Sequence, residues 1–189
     1  MPDPTRQTPR GPSPMTPARL EQAGLNYLAR FAASAVHLRR VLMRQVRLSE
    51  AAHATDSAML GQAIAALIER WITAGLLDDA GYATAKAASL HRRGLPKARI
   101  RAKLQEKGIA APVIADVLGE ASEIGSDLAA AAALARRRRL GPYRLPELRA
   151  QFFDKDLGSL ARAGFDRRTA ERVLRAENPE AVSALVDED

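Results

Sequence analysis

The sequence predicts an all-α protein, arranged as an elongated tandem array of about three three-helix repeats. From about Leu20 onward the chain is rich in Ala, Leu and Arg, which are strong helix formers. Apolar residues recur at spacings of three and four, as in Ile64, Leu67 and Ile68, which is the period of a helix with one buried face. No run alternates with period two over the length of a strand, so we expect no β-sheet.

An internal repeat supports the tandem array. Gly108 and Ile109 correspond to Gly164 and Phe165, 56 positions later, and the apolar residues around them keep this offset. In both copies a short helix ends in glycine, a large apolar residue follows, and a second helix begins. A unit of about forty residues buries little core alone, so neighbouring units are expected to stack. The predicted units are residues 20–76, 77–120 and 121–176.

Glycines and acidic residues mark the helix boundaries at the start of the central unit. Gly75 predicts a left-handed helix C-cap. Asp78 and Asp79 then occupy the N-cap and first-turn positions of the next helix, where the helix dipole favours an acid. That helix is expected to stop at Gly94.

Two further helices complete the central unit. Pro96 fits the first position of a helix over residues 97–107, which Gly108 ends, and Pro112 opens a helix that runs to about Leu118. The corner and core residues expected to build the fold are Gly75, Leu76, Leu77, Asp78, Asp79, Gly94, Ile100, Leu104, Gly108, Ile109, Gly164, Phe165 and Leu174.

The two ends of the chain differ from its middle. Residues 1–19 hold six of the eleven prolines and lack apolar periodicity, which predicts a disordered Pro-rich arm. Residues 177–189 hold five acids and no base, and we interpret them as an acidic flexible tail.

Composition excludes several classes of protein. The absence of cysteine removes disulfides, thiolate metal sites and cysteine nucleophiles, and it suits a reducing compartment. Aromatic residues make up only 4%, which argues against an aromatic platform for stacking bases. No stretch approaches the roughly 18 apolar residues of a membrane span. We therefore expect a cytoplasmic protein that does not bind membranes. We also expect a monomer.

Catalysis finds little support. The three histidines lie far apart in sequence, and the chain has no HExxH pair, no phosphate-binding GxxxxGK[ST] loop and no GxGxxG turn. Asp78 and Asp79 point about 100° apart on a helix, so they do not face one site. We expect no catalytic residue, no metal and no cofactor; a small hydrolase using Asp78, Asp79 and His91 is the remaining enzymatic alternative.

Clusters of basic residues are the strongest functional signal. The chain carries 29 Lys and Arg against 22 Asp and Glu, a formal net charge of +7 that attracts polyanions. Arg99, Lys103 and Lys107 are four residues apart and form a stripe beside the apolar line of Ile100 and Leu104. The bland alternative is a solvated basic surface. The residues expected to meet a partner or DNA phosphates are Arg92, Arg93, Arg99, Arg101, Lys103, Lys107, Arg136, Arg137, Arg138 and Arg139, and an upstream cluster is Arg39, Arg40, Arg44 and Arg47.

Repeated three-helix units with basic helices also suggest a stand-alone helical DNA-binding transcription regulator. A sequence-reading helix carries Asn, Gln, Ser and Arg toward base edges, whereas these helices carry mainly Lys, Arg and Ala. Such residues contact phosphates or acidic side chains without reading sequence. Transcription regulation by sequence-specific DNA binding therefore stays the alternative function.

The central segment resembles that of the bacterial RecX regulatory proteins. The residues that carry the resemblance, in order, are Gly75-Leu76-Leu77-Asp78-Asp79, Tyr82-Ala83, Arg92-Arg93-Gly94-Leu95, Arg99-Ile100-Arg101, Leu104 and Lys107-Gly108-Ile109. Residues 27–42 and 160–174 also resemble the flanking helices of that family, so the resemblance covers about residues 20–176 and leaves out both ends.

The resemblance implies a fold and a role. RecX proteins consist of tandem three-helix repeats, in agreement with the internal repeat. They bind the RecA recombinase, mainly as its filament on DNA, and restrain its ATP hydrolysis, strand exchange and coprotease activity. The resemblance thus implies a non-enzymatic regulator of DNA repair, recombination and the SOS response, with RecA and the RecA–DNA filament as partners and DNA contacted directly as a further option.

Overall fold

The structure is a computed structural model that describes residues 14–53, 56–119 and 123–189. Every regular element in this part of the chain is helical, which confirms the all-α prediction. The helices are α1 (Pro17–Leu28), α2 (Ala35–Ala52), α3 (Ser57–Thr73), α4 (Asp79–Arg92), α5 (Lys97–Glu106), α6 (Ala111–Leu118), α7 (Asp127–Arg138), α8 (Pro146–Ala163), α9 (Arg167–Leu174) and α10 (Pro179–Asp187), with a 3-10 turn at Gly141–Tyr143.

Backbone contacts divide the chain into two compact units, Met1–Asp79 and Ala80–Asp189. Buried apolar residues form three clusters, one in the first unit and two in the second. The predicted division into three three-helix units stays a prediction. No helix in the described residues is long and apolar enough to cross a membrane.

The first unit packs α1, α2 and α3 around one apolar cluster. The helices begin where the chain supplies N-caps: Thr16, Ser34 and Asp56 each accept a hydrogen bond from the backbone N–H three residues later. Asp79 is the first residue of α4, as predicted, but its carboxylate accepts a hydrogen bond from the Ala35 N–H at 2.8 Å. It therefore also stabilises the start of α2. The main core residues are Leu20, Leu38, Leu42, Val46, Leu60, Ile64 and Trp71.

The second unit begins with α4, α5 and α6, whose ends lie within one residue of the predicted ones. Pro96 is the N-cap of α5 and not its first residue, and Pro112 is the second residue of α6. Gly94 and Gly108 have φ angles of 77° and 78°, the left-handed conformation expected after a helix end. Ile100 and Leu104 are fully buried, while Arg99 and Lys103 on the neighbouring side of α5 are exposed. Arg99 and Lys103 therefore lie beside the apolar line, whereas Lys107, the third residue of the predicted stripe, is half-buried just after the helix.

The internal repeat is visible in the backbone. In each copy the glycine has a positive φ, 78° and 103°, and the following apolar residue donates its N–H to the carbonyl oxygen of the leucine five residues before it, at 3.1 and 3.2 Å. These bonds satisfy the last carbonyls of the helix and bury the apolar residue against it. The corresponding residues are Gly108 and Gly164, Ile109 and Phe165, and Leu104 and Leu160.

Helix α7 is the centre of the remaining helices, because it contacts α8, α9, α10 and the 3-10 turn. Most of its buried residues are alanines, whose small methyl side chains let neighbouring backbones approach closely. Arg139 ends the helix in the left-handed conformation, with φ of 54°. The buried residues of α7 are Leu128, Ala130, Ala131, Ala132, Leu134 and Ala135.

Both predicted flexible ends contain helix. The prediction of a flexible tail over residues 177–189 is wrong for α10, whose Val182 is 1% exposed in the core. Asn178 caps α10 through the Ala181 N–H, and Pro179 occupies its first position, so two start signals outweigh the repulsion among the acids. The predicted arm is wrong from Pro17 onward, since α1 begins there, and residues 1–13 lie outside the described residues.

One predicted core position, Leu76, is wrong. Leu76 is 48% exposed, whereas Leu77 is buried in the apolar cluster of the first unit. Both amides donate to the Trp71 carbonyl oxygen, so the turn after Gly75 directs only the second leucine inward. The other predicted apolar corner residues are buried.

Candidate functional site

Several predicted basic residues come together at the C-terminal ends of α4 and α7. The Arg137 Nη1 donates a hydrogen bond to the Arg93 carbonyl oxygen at 2.5 Å, so the two helix ends are adjacent. The next residue of α7, Arg138, contacts α8, because its Nη1 donates a hydrogen bond to the Ser159 Oγ at 3.0 Å. All three arginine side chains are exposed. The end of α7 thus links bases of α4 to the surface of α8.

Helix α5 joins the same surface through α8. The Arg99 Nη2 lies 3.5 Å from the Arg162 carbonyl oxygen, and the Gly164 corner lies against the Arg99 side chain. Ser159 and Arg162 are three residues apart on α8 and therefore share a face. Lys103 follows Arg99 one turn along α5. We call the resulting set the basic surface: Arg93, Arg99, Lys103, Arg137, Arg138 and Arg162.

Tight contacts hold the α4–α5 corner against α7. A Cβ on Gly94 would lie 2.7 Å from the Leu134 Cβ and 2.9 Å from the Ala130 carbonyl oxygen, so the corner touches α7 directly. The Asp127 carboxylate at the start of α7 accepts the Lys97 N–H at 2.7 Å, which caps α5 in place of a side chain of its own. These contacts fix the register of the bases on the two elements.

His91 has a structural role near the end of α4. Its Nε2 lies 2.9 Å from the Ser126 carbonyl oxygen. A carbonyl only accepts, so the histidine donates from Nε2 and ties α4 to the residue that caps α7.

The four consecutive arginines at the end of α7, Arg136 to its C-cap Arg139, point in different directions. Arg137 and Arg138 belong to the basic surface. Arg136 lies with Tyr143 and Asp187 around a cleft of about 210 Å³ between α7 and α10. Arg139 lies at a second groove, formed by the chain after α7. Only half of this cluster faces the basic surface.

Other predicted bases lie apart from it. Arg92 lines a groove of about 570 Å³ together with Asp116 and Glu123, so its charge faces acids of its own unit. Arg101 follows Arg99 by two residues, which places it about 200° around the axis of α5, on the opposite exposed side. Lys107 is half-buried at the end of the helix.

Arg162 is the member of the basic surface that the sequence prediction missed. It lies in the last turn of α8, where a base interacts favourably with the helix dipole. A base at that position of a predicted helix is the sequence signal that could have identified it.

The local electrostatics favour charged side chains on this unit. Hydrogen bonding to Asp156 raises the pKa of Arg144, and hydrogen bonds from Thr169 lower the pKa of Asp166, the N-cap of α9. Tyr143 is the exception, because burial raises its pKa and so favours the neutral phenol. Among the described residues no three His, Asp or Glu side chains form a group that could hold a metal ion.

Comparison with known proteins shows both the type of domain in this chain and the family to which the chain belongs. A family described as "RecX, second three-helix domain" matches residues 78–118, the stretch that contains α4, α5 and α6. The chain is 39% identical over 170 residues to a protein named regulatory protein RecX from Myxococcus xanthus, covering 88% of this chain and 89% of that one. A second regulatory protein RecX, from Agrobacterium fabrum, is 35% identical over 111 residues, or 59% of this chain and 58% of that protein. The chain belongs to the RecX family of regulatory proteins.

Proposed function

We propose that this protein binds the RecA recombinase as its filament on DNA and restrains ATP hydrolysis, strand exchange and coprotease activity. The observation that carries the proposal is the basic surface, in which the base that follows α4 and bases of α5, α7 and α8 are adjacent in a RecX-family chain. The role makes the protein a non-enzymatic regulator of DNA repair and recombination, acting in the cytoplasm where the filament forms.

The basic surface suits an acidic protein surface or a phosphate backbone. Guanidinium groups bind carboxylates and phosphates in two-pronged geometry and keep their charge at any physiological pH. Their exposure means that binding releases counterions and weakens as salt is added. Neither kind of contact requires reading of DNA sequence.

ATP hydrolysis by RecA on single-stranded DNA tests the proposal. The protein, added below the concentration of RecA, is expected to slow hydrolysis. Arg99→Glu is expected to require at least about tenfold more protein for the same inhibition, which corresponds to ~1.4 kcal/mol.

Arg101→Glu is the matched control, because it makes the same charge change on the same helix at the opposite exposed side. No inhibition by the natural protein would refute the proposal, and equal losses in the two variants would refute the assignment of the surface. Tight, sequence-dependent binding to short duplex DNA without RecA would instead identify a transcription regulator.

A further inference from the structure

A groove beside the start of α8 shares no lining residue with the basic surface. Its volume is about 660 Å³, and none of its lining residues is Asp or Glu. Apolar walls come from Pro142, Leu145, Pro146 and Leu148, and positive charge comes from arginines that include Arg139 and Arg149. The groove therefore combines an apolar surface with a basic rim.

Leu145 breaks a local rule of helix structure. It occupies the N-cap of α8 without a side-chain hydrogen bond, and it is 62% exposed. Ser, Thr, Asp or Asn at this position would accept a hydrogen bond from a backbone N–H of the first turn and stabilise the helix. Leu145 neither caps the helix nor buries most of its side chain. A residue that is unfavourable at its position and has no stabilising contact to offset this is typical of a functional site.

Arg149 is held in place with its charge intact. It donates to three backbone carbonyl oxygens, those of Arg144 at 3.1 Å, Pro142 at 2.9 Å and Glu177 at 2.5 Å. Carbonyl groups carry no net charge, so these bonds orient the guanidinium and leave it positive. Arg144 differs, since it forms an ion pair with Asp156 at 2.7 Å. The net positive charge of the groove therefore comes from Arg139 and Arg149.

We propose that this groove binds an acidic peptide segment that inserts a large aliphatic side chain beside Leu145. The acidic residues of the segment face Arg139 and Arg149, and its aliphatic side chain covers the exposed Leu145 and Pro146. Phosphate backbones match the charge but supply nothing that covers an aliphatic wall, so the apolar lining favours a peptide over a nucleic acid. The proposal does not depend on RecA binding, because it concerns different residues.

Fluorescence anisotropy with a short labelled peptide of Glu and Asp around a single Leu tests this site on the full-length protein. Saturable binding is expected. Leu145→Asp is expected to weaken it at least about tenfold, because the aliphatic contact is lost and a negative charge faces an acidic ligand. Aspartate is a favoured N-cap, so this variant should unfold no earlier in urea than the natural protein.

Leu48→Asp is the matched control, since Leu48 on α2 is also 62% exposed and lies in the other unit. It is expected to bind the peptide as the natural protein does, whereas Arg139→Glu is expected to lose affinity. A peptide with Ser in place of Leu should bind at least about tenfold more weakly. The proposal would be overturned if the peptide showed no saturable binding or if Leu145→Asp bound it as tightly as the natural protein does. It would also be overturned if the Ser peptide and a single-stranded oligonucleotide bound as tightly as the Leu peptide.

Discussion

Two glycines with the same backbone conformation have different surroundings. Gly75 and Gly94 have φ angles of 71° and 77°. A Cβ on Gly75 would meet nothing within 4 Å, whereas one on Gly94 would meet backbone atoms of α7 at 2.8 and 2.9 Å. Sequence alone shows two equivalent helix ends, and only the packing distinguishes them.

Alanine substitution separates these two effects. Gly75→Ala is expected to cost about 1–2 kcal/mol, the penalty of a side chain in the left-handed region. Gly94→Ala is expected to cost clearly more, because the backbone of α7 must move as well. Urea denaturation of both variants measures the difference. Equal losses would show that the α4–α5 corner does not press on α7 in solution.

Asp156 is a buried acid that the sequence did not single out. It is 2% exposed, and its carboxylate accepts hydrogen bonds from the Gly141 N–H and from two nitrogens of Arg144. An acid in a helix of mixed polarity gives no sign of such a role, because its partners lie 12 and 15 residues away. The bond network connects α8 to the turn after α7.

Asp156→Ala is expected to destabilise the protein by roughly 2–3 kcal/mol, since Arg144 and a buried amide lose their acceptor. The free energy of unfolding in urea provides the measurement. Asp154→Ala, at an exposed position of the same helix, is the control and should change stability little. A change in Asp156→Ala no larger than in the control would contradict the buried network.

At the scale of the elements, α10 shows the limits of reading charge from sequence. Five acids without a base suggested a flexible tail. Val182, Leu185 and Val186 have helical spacing and lie on the cluster that includes α7. Asp189, just beyond the helix, forms an ion pair with Arg172 of α9 at 2.7 Å. Tertiary contacts of this kind decide whether a short acidic segment folds.

Docking of α10 is expected to weaken in acid. The hydrogen bond from Arg172 lowers the pKa of Asp189, with a further contribution from Ser126. A group whose folded pKa is depressed stabilises the fold above its unfolded pKa of about 3.9 and loses that contribution as pH falls through the folded value. NMR titration of the Asp189 side-chain carboxyl group should give a midpoint below the ordinary range of an aspartate. Arg172→Gln should return it to the ordinary range.

The helix boundaries were predictable because their signals are local. Gly, Pro and cap residues act within one turn, so α4, α5 and α6 begin and end close to where the sequence indicated. The grouping of the bases was only partly predictable. Which of Arg136, Arg137 and Arg138 meets α4 or α8 depends on helix packing, and no short-range pattern encodes that.

At the scale of the whole molecule, the excess of positive charge predicts steep salt dependence of filament binding. Raising NaCl from about 50 mM to 200 mM should weaken binding by an order of magnitude or more if several phosphates or carboxylates are engaged. Binding at a series of salt concentrations measures the slope of log affinity against log salt. Arg99→Glu should flatten the slope, and Arg101→Glu should leave it unchanged. A slope near zero would contradict an electrostatic interface.

The alanine-lined helix α7 has a consequence for how such a chain diverges over time. Ala130, Ala131 and Ala135 are fully buried, so any larger side chain there would displace a neighbouring backbone. The arginines at its exposed end face no such constraint. Related chains should therefore keep the interior of this helix almost fixed while the basic end drifts, so that partner preference can change without a new fold.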